Sequence, residues 1–379
     1  MKSASLFTLA LLAAGCALAQ EESGPRFTPT FVGEVDYRVH ADDIEGHNGF
    51  NLARLRLGGR GQPVPWLVAV GTAEWAQEKP ALLDAYVDFL VIDGLRFSVG
   101  YAKTPLFPAG RDQSIETLPI PELPLVTAAF WARRDLGAEV QWTPASLPLE
   151  GWLRLGNGSG SPLGNDNAQP SVDVRLDVKH SGVRVGAGAH VEDAFDRPGI
   201  GGRGAQNFLF YRPPPVSGYR TVTEAHGRLD AGPVRVDVQA AAAWEHRSRD
   251  TDGNPATPRE ALPTMSSQGL GVEASWVIRG MPRQGARWPE ALAGVGSEGI
   301  PSGSLELAAR VERLWLGRGA PDVEPGGTTG GALALRWWVT RFLGFGVAGY
   351  VNHYDTPPVE MPTRDWSYLA LLRTTVSLQ

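Results

Sequence analysis

The sequence predicts an all-β fold: a transmembrane antiparallel β-barrel of sixteen strands. Three observations carry this. Apolar and charged residues alternate with period two along the 379-residue chain. The connections between alternating stretches are short and long by turns, as in barrels that cross an outer membrane. The apolar faces are rich in alanine and end in aromatic residues, which suits hydrocarbon between two water interfaces better than a packed core.

The N-terminus sets the compartment. Lys2, an apolar stretch from Leu6 to Leu12 and the exit Ala17-Leu18-Ala19 make residues 1–19 a secretory signal peptide, cleaved before Gln20. Cys16 offers a rival reading as a lipoprotein cysteine after Ala13-Ala14-Gly15, but no leucine stands three positions before it. Residues 20–28 are then a short N-terminal segment and 29–379 the barrel domain. Cys16 is the one cysteine, so cleavage before Gln20 excludes disulfides. A hydrophobic share of 42% excludes a disordered chain, and a formal net charge of −6 excludes a nucleic-acid partner, which needs an accumulated positive face. One apolar run, Phe342 to Val351, is glycine-rich and far short of the ~20 apolar residues of a membrane helix. A barrel is not excluded by that test, because its apolar residues alternate with polar ones.

Strands account for nearly the whole mature sequence. In Ser171–His180, Val172, Val174, Leu176 and Val178 face one way and Asp173, Arg175, Asp177 and Lys179 the other. The same alternation sets Val35, Tyr37 and Val39 against Glu34, Asp36, Arg38 and His40, and Val234, Val236 and Val238 against Arg235, Asp237 and Gln239. Candidate strands lie near 29–40, 49–60, 64–76, 81–92, 94–103, 133–143, 149–157, 170–180, 182–193, 219–230, 232–248, 266–279, 302–316, 328–340, 342–355 and 366–378. Short turns at Gly61–Pro63, Ile92-Asp93-Gly94, Ser181-Gly182, Asp230-Ala231-Gly232 and Thr340-Arg341 alternate with longer loops at 41–48, 104–132, 158–169, 194–218, 249–265, 317–327 and 356–365. One connection, 280–301, should be a short turn and is long. Residues 112–131 and 287–295 could each hold a short helix. An even strand count places both termini on the short-turn side.

In a membrane barrel, lipid covers the apolar face and the charged face lines a wet lumen. The outward aromatic residues would then be Tyr37, Trp66, Trp75, Tyr101, Trp142, Trp244, Trp315, Trp337 and Tyr350, placed as interfacial girdles require. The competing reading is a secreted soluble β-sandwich used for binding or adhesion, with the charged faces outside.

Several segments carry a resemblance. They are Leu83-Asp84-Ala85-Tyr86-Val87-Asp88-Phe89, Arg96 through Val99-Gly100-Tyr101-Ala102-Lys103-Thr104-Pro105, and Arg134-Asp135-Leu136-Gly137-Ala138. Later come Ser304-Leu305-Glu306-Leu307-Ala308-Ala309-Arg310, Leu335-Arg336-Trp337-Trp338, Gly349-Tyr350-Val351-Asn352-His353 and Leu372-Arg373-Thr374-Thr375-Val376-Ser377-Leu378. In order and spacing they resemble the phosphate-selective porin O and P family of Gram-negative outer membranes. The resemblance implies a passive outer-membrane channel, usually a homotrimer surrounded by lipid, with no enzymatic activity and no cofactor. It also implies that the third long loop, 104–132, folds inward and constricts the lumen. The chain departs from the family in Leu305 where Trp is usual, in Arg336 where Asn is common, and in ending on Gln379 rather than an aromatic residue.

Anion selectivity needs cations along the path, with at least one at its narrowest point; Arg grips phosphate with two parallel bonds, Lys as a point charge. Parity puts Arg38, Arg54, Arg56, Arg60, Arg96, Arg154, Arg175, Lys179, Arg184, Arg228, Arg235, Arg310, Arg336 and Arg373 inside. It also puts Glu34, Asp36, Glu74, Asp84, Asp88, Glu139, Asp173, Asp177, Glu224, Asp237, Glu306 and Glu312 there. So balanced a wall is what any water-filled barrel shows; a basic stripe on one side would prefer anions such as phosphate. At the constriction the candidates are Lys103, Arg111 and Arg134, with Arg133 nearby. The alternative role for these residues is to tie the loop to the wall through carboxylates.

Other motifs carry less. Gly294-Val295-Gly296-Ser297-Glu298-Gly299 matches a dinucleotide pattern but lacks the flanking strand and helix, so it reads as a turn. Asp250-Thr251-Asp252-Gly253-Asn254 lacks the distal Glu of a calcium loop. The histidines show no metal-ligand spacing; His190 and His226 read as lumen or loop side chains. His40 with Asp42 and Asp43 is a loose candidate for a barrel enzyme.

Overall fold

The computed structural model describes residues 25–41, 48–76, 79–205, 208–252, 257–290 and 303–378. The signal peptide, Asp42, Asp43, the glycine motif at 294–299 and Gln379 lie outside the described residues, as do Gly253 and Asn254 of the acidic turn.

The strands are β1 (Arg26–His40), β2 (Gly49–Val64), β3 (Leu67–Glu74), β4 (Ala81–Ile92), β5 (Leu95–Lys103), β6 (Arg134–Trp142), β7 (Leu149–Gly156), β8 (Ser171–His180) and β9 (Val183–Pro198). They continue as β10 (Gly202–Arg203), β11 (Leu209–Tyr211), β12 (Pro215–Ala231), β13 (Val234–Arg249), β14 (Glu260–Arg279), β15 (Ser304–Arg318), β16 (Gly326–Trp338), β17 (Leu343–Tyr354) and β18 (Trp366–Leu378). Sixteen of them close a barrel in chain order; β10 and β11 pair only with each other, in the loop between β9 and β12. The first and last strands close the ring in antiparallel register, from Phe31 opposite Leu378 to His40 opposite Leu369. Closure leaves no sheet edge, which is the condition for β-structure to cross hydrocarbon. A β-sandwich is therefore overturned.

The two faces of the wall have opposite character. Along β8, Asp173, Arg175 and Asp177 are buried inside the barrel, while Val174 and Leu176 are about half exposed on its outside. Glu34, Asp36, Glu139, Arg154, Glu306 and Arg373 are likewise buried within, and Val35, Val39, Leu153, Leu155, Val311 and Leu372 face out. Such an outer face is stable only against an apolar medium, and the inner face only where charges are paired or wet. Replacing Val174 by Arg should cost about 2–4 kcal/mol of stability in bilayers. Heat-modifiable gel mobility measures it; an unchanged unfolding temperature would contradict the outward placement.

Some details differ from the sequence reading. Gly61–Pro63 is not a turn: β2 runs through it, and the chain reverses at Pro65-Trp66. Pro63 sits where the β2–β3 register shifts between Gly61 and Val64, so its missing N–H breaks no ladder bond. Tyr350 is not a girdle residue; it points inward and is buried. Tyr101 is buried too, its hydroxyl donating to the Gly160 carbonyl at 3.0 Å. The short helices are α1 (Pro108–Arg111) and α2 (Leu125–Phe130), and residues 287–290 are not helical. Strands β9 and β12 extend well into the stretch read as loop 194–218, and β14 starts at Glu260.

Candidate functional site

Loop 104–132 leaves β5 and folds into the lumen. Its course is fixed by wall arginines that bind its backbone and carboxylates. Arg175 on β8 donates to the Pro105 carbonyl at 2.8 Å and meets Asp112 at 2.8 Å; Arg184 on β9 meets Asp112 at 2.9 Å. Arg336 on β16 donates to the Glu116 carbonyl at 3.3 Å. Arg373 on β18 binds the Glu122 carboxylate at 2.7 Å, and Arg310 on β15 binds the Glu122 carbonyl at 3.0 Å. The Thr127 hydroxyl donates to Gln239 on β13 at 2.8 Å, bringing the loop back along the far wall.

Apolar packing holds what these bonds position. Phe107, Leu125, Val126, Phe130 and Trp131 of the loop share a core with Phe208, Phe210 and Tyr211 beside and within the β10–β11 hairpin, and with inward Val222, Leu314 and Tyr354. The hairpin loop therefore folds inward as well, a second inward loop that the sequence reading treated only as long. Gly110 lies flat on the Trp131 ring, where an added Cβ would sit 2.4 Å from it. On the β15–β18 side, Ile120 packs on Ala308, Ala334, Ala348, Tyr350 and Leu371.

Asp112 gives this anchor a pH dependence. Burial alone would push its carboxyl up, but Arg175 and Arg184 outweigh that and hold it below the ordinary carboxylate range. A carboxyl whose folded pKa is depressed contributes stability above its unfolded pKa and loses it as pH falls through the folded value. Conductance should thus stay level from neutral pH down to about 4 and change only in stronger acid. Asp112→Asn should abolish that acid step, read in planar bilayers; a step between pH 7 and 5 in the unmodified chain would contradict the assignment.

The sequence-predicted residues fall into three groups. Most inward cations are paired: Arg38 with Asp36 (3.2 Å), Arg54 with Glu34, Arg56 with Glu74 (2.9 Å), Arg175 with Asp177 (2.6 Å), Arg184 with Asp177 (2.5 Å), Arg235 with Asp230 (2.6 Å) and Arg310 with Glu273 (2.5 Å). Arg96 is looser, 3.6 Å from Asp88, and Arg154 is 3.8 Å from Glu139 and donates to the Asp135 carbonyl at 2.5 Å. At the loop root, Arg111 meets Glu139 at 2.5 Å and Arg134 meets Asp84 at 3.0 Å, so both tie the loop region to the wall. Lys103 differs. Its ammonium donates to the carbonyls of Gly110 (2.8 Å) and Gln113 (3.1 Å) and has no carboxylate at ion-pair distance among the described residues.

Four of these cations, Arg96, Lys103, Arg111 and Arg154, meet at one cavity. Between the loop root and strands β4–β7 lies a polar space of about 420 Å³, lined by Asp84, Asp88, Arg96, Lys103, Arg111, Asp112, Glu139 and Arg154. Four cations and four carboxylates face it, and Lys103 is the one held by carbonyls alone. Parity reasoning overlooked Glu273, an inward carboxylate that the alternation Gly271, Glu273, Ser275 in β14 would have given. It also overlooked that His190 lies between Asp173 (2.8 Å) and Glu192 (3.5 Å), and His226 between Glu224 (2.9 Å) and Asp177 (3.2 Å).

With this geometry in hand, comparison with solved structures is informative. An anion-selective porin from Comamonas acidovorans aligns over 93% of this chain and 99% of its own, with a TM-score of 0.61 and 9% identity. The trimer form of OmpT, an outer membrane protein of Vibrio cholerae, covers 94% of this chain and 100% of its own (TM-score 0.59, 12% identity). OmpF of Salmonella typhi, solved with daunomycin, covers 93% and 97% (TM-score 0.52, 10% identity). The fold is that of the sixteen-stranded porins. No family model matches the sequence, and no curated protein matches it.

Proposed function

We propose that this chain is an outer-membrane porin of a Gram-negative bacterium, through which small hydrophilic solutes diffuse passively. One observation carries the reading: charged side chains are gathered inside a closed barrel whose outer face is apolar, and a long loop narrows the interior. A signal peptide at 1–19, followed by a barrel whose first strand starts at Arg26 rather than at 29 as the sequence suggests, fits export to that membrane. Assembly as a homotrimer is supported by the trimer form of the Vibrio protein.

The pore prefers anions, phosphate among them. What supports this is the uneven pairing at the constriction: Arg111 and Arg134 have carboxylate partners, whereas Lys103, beside the β4–β7 cavity, is bound to carbonyls and has no carboxylate at ion-pair distance among the described residues. The resemblance to the phosphate-selective porins points the same way. Reversal potentials in a KCl gradient test it. Anion preference is expected, reduced by about half or more on Lys103→Met and further with Arg111→Met. Cation preference in the unmodified protein would overturn the anion claim, and unchanged selectivity in the variants would remove both residues from it.

A further inference from the structure

The connection between β14 and β15 is long where a barrel of this kind needs only a turn. We propose that its residues 281–290 form a second constriction, at the barrel end opposite the inward loops, that narrows the exit along the β13–β16 wall. The proposal rests on the channel reading above.

The segment is bound to the lumen and does not simply link two strands. Arg283 reaches back into the barrel and grips Glu306 with two bonds of 2.6 Å, both side chains being buried. The Gly285 carbonyl accepts from Arg235 at 2.8 Å, and the Pro289 carbonyl from the Ser304 hydroxyl at 2.6 Å. Trp288 packs against Trp338 with ring centres 4.6 Å apart, and the Trp338 indole N–H donates to Glu306 at 3.3 Å. Arg235, Ser304, Glu306 and Trp338 are all buried inward residues, on β13, β15 and β16. A linker lying free in water would not draw on them.

Connection alone does not need these residues. Arg279 already pairs with Leu305, and the flanking Gly280 (φ +124°) and Gly303 (φ +62°) both hold positive φ, which lets the chain bend sharply at each end. The extra chain therefore has another use, and its position says which. The Arg336 guanidinium lies 4.2 Å from the centre of the Trp338 ring on one side and reaches the Glu116 carbonyl of the inward loop on the other. Loop and segment are thus stacked along one wall, which leaves the open course against β4–β7, where the polar cavity lies. Arg283 and Arg235 are each neutralised, by Glu306 and Asp230. The segment restricts by volume and adds little net charge to the path.

Two variants test this in planar bilayers. In one, residues 281–302 are excised so that Gly280 joins Gly303. In the other, the full-length chain carries Arg283→Ala with Trp288→Ala, which keeps the test open if the excised chain does not fold. Each is expected to conduct about 1.5- to 3-fold more than the unmodified protein. Unmodified conductance in either folded variant would overturn the second constriction. An unmodified protein that does not conduct at all would overturn the channel reading, and this proposal with it.

Discussion

Arg373→Met is expected to destabilise the barrel by about 3–5 kcal/mol and to loosen the inward loop in the same step. Arg373 sits on the closing strand, directly opposite Asp36 of β1. It binds both Asp36 oxygens at 2.7 and 2.8 Å, lies 3.4 Å from Glu34, and reaches Glu122 and the Pro121 carbonyl of loop 104–132. The cation therefore joins the barrel seam to the loop. Removing it leaves Glu34 to Arg54 and the Thr375 hydroxyl, takes from Asp36 a partner it shares with Arg38, and takes from Glu122 its 2.7 Å ion pair. Lysine should restore little, because a point charge cannot fork across Asp36 while also reaching Glu122. Unfolding temperature by gel mobility and open-channel noise in bilayers are the two readouts. A variant with unchanged values in both would show that the seam does not depend on this residue.

The second large effect is expected at the outer mouth. Phe208→Ala together with Phe210→Ala removes two rings that are almost wholly buried beneath loop 104–132. Each loss should cost about 3–5 kcal/mol in the folded state, from lost burial and the cavity left behind. Part of that cost can be avoided if the β10–β11 hairpin loosens from the lumen, against the hold of buried Ile200, Leu209 and Tyr211. Conductance should then rise several-fold, on the order of what removing a constricting loop gives, with larger current fluctuations. Unchanged conductance in a folded variant would mean that the hairpin does not occlude the path.

Much of the barrel was legible in the sequence because each strand must satisfy two solvents at once. Where one face is charged and the other aliphatic, as in Val172–Val178, parity alone assigns every side chain. It loses its power where both faces are apolar. In β16 to β18, Ala334, Ala348, Leu369 and Leu371 face inward to receive Ile120, and nothing local marks them off from the lipid side. Tyr350 was misplaced for the same reason: an aromatic residue near a strand end serves equally in a girdle or against a loop. The length of 104–132 announced a loop, but its path depends on Arg175, Arg336 and Arg373, which are far away in sequence and come together only on closure. The hairpin at 202–211 and the segment 281–290 were hidden in the same way, their anchors being wall residues on other strands. Of the candidate site residues, the sequence supplied the positions facing the lumen but not the pairing, so Lys103 and Arg134 looked alike until their partners were seen.

The central claim is that lipid meets the aliphatic side of each strand and water the charged side. Single cysteines placed in turn at positions 172–178 of β8, in a chain produced without residues 1–19, can carry a small thiol-linked fluorophore into vesicles with brominated acyl chains. Strong quenching is expected at 172, 174, 176 and 178 and little at 173, 175 and 177. Quenching with the opposite parity, or at none of these positions, would contradict it.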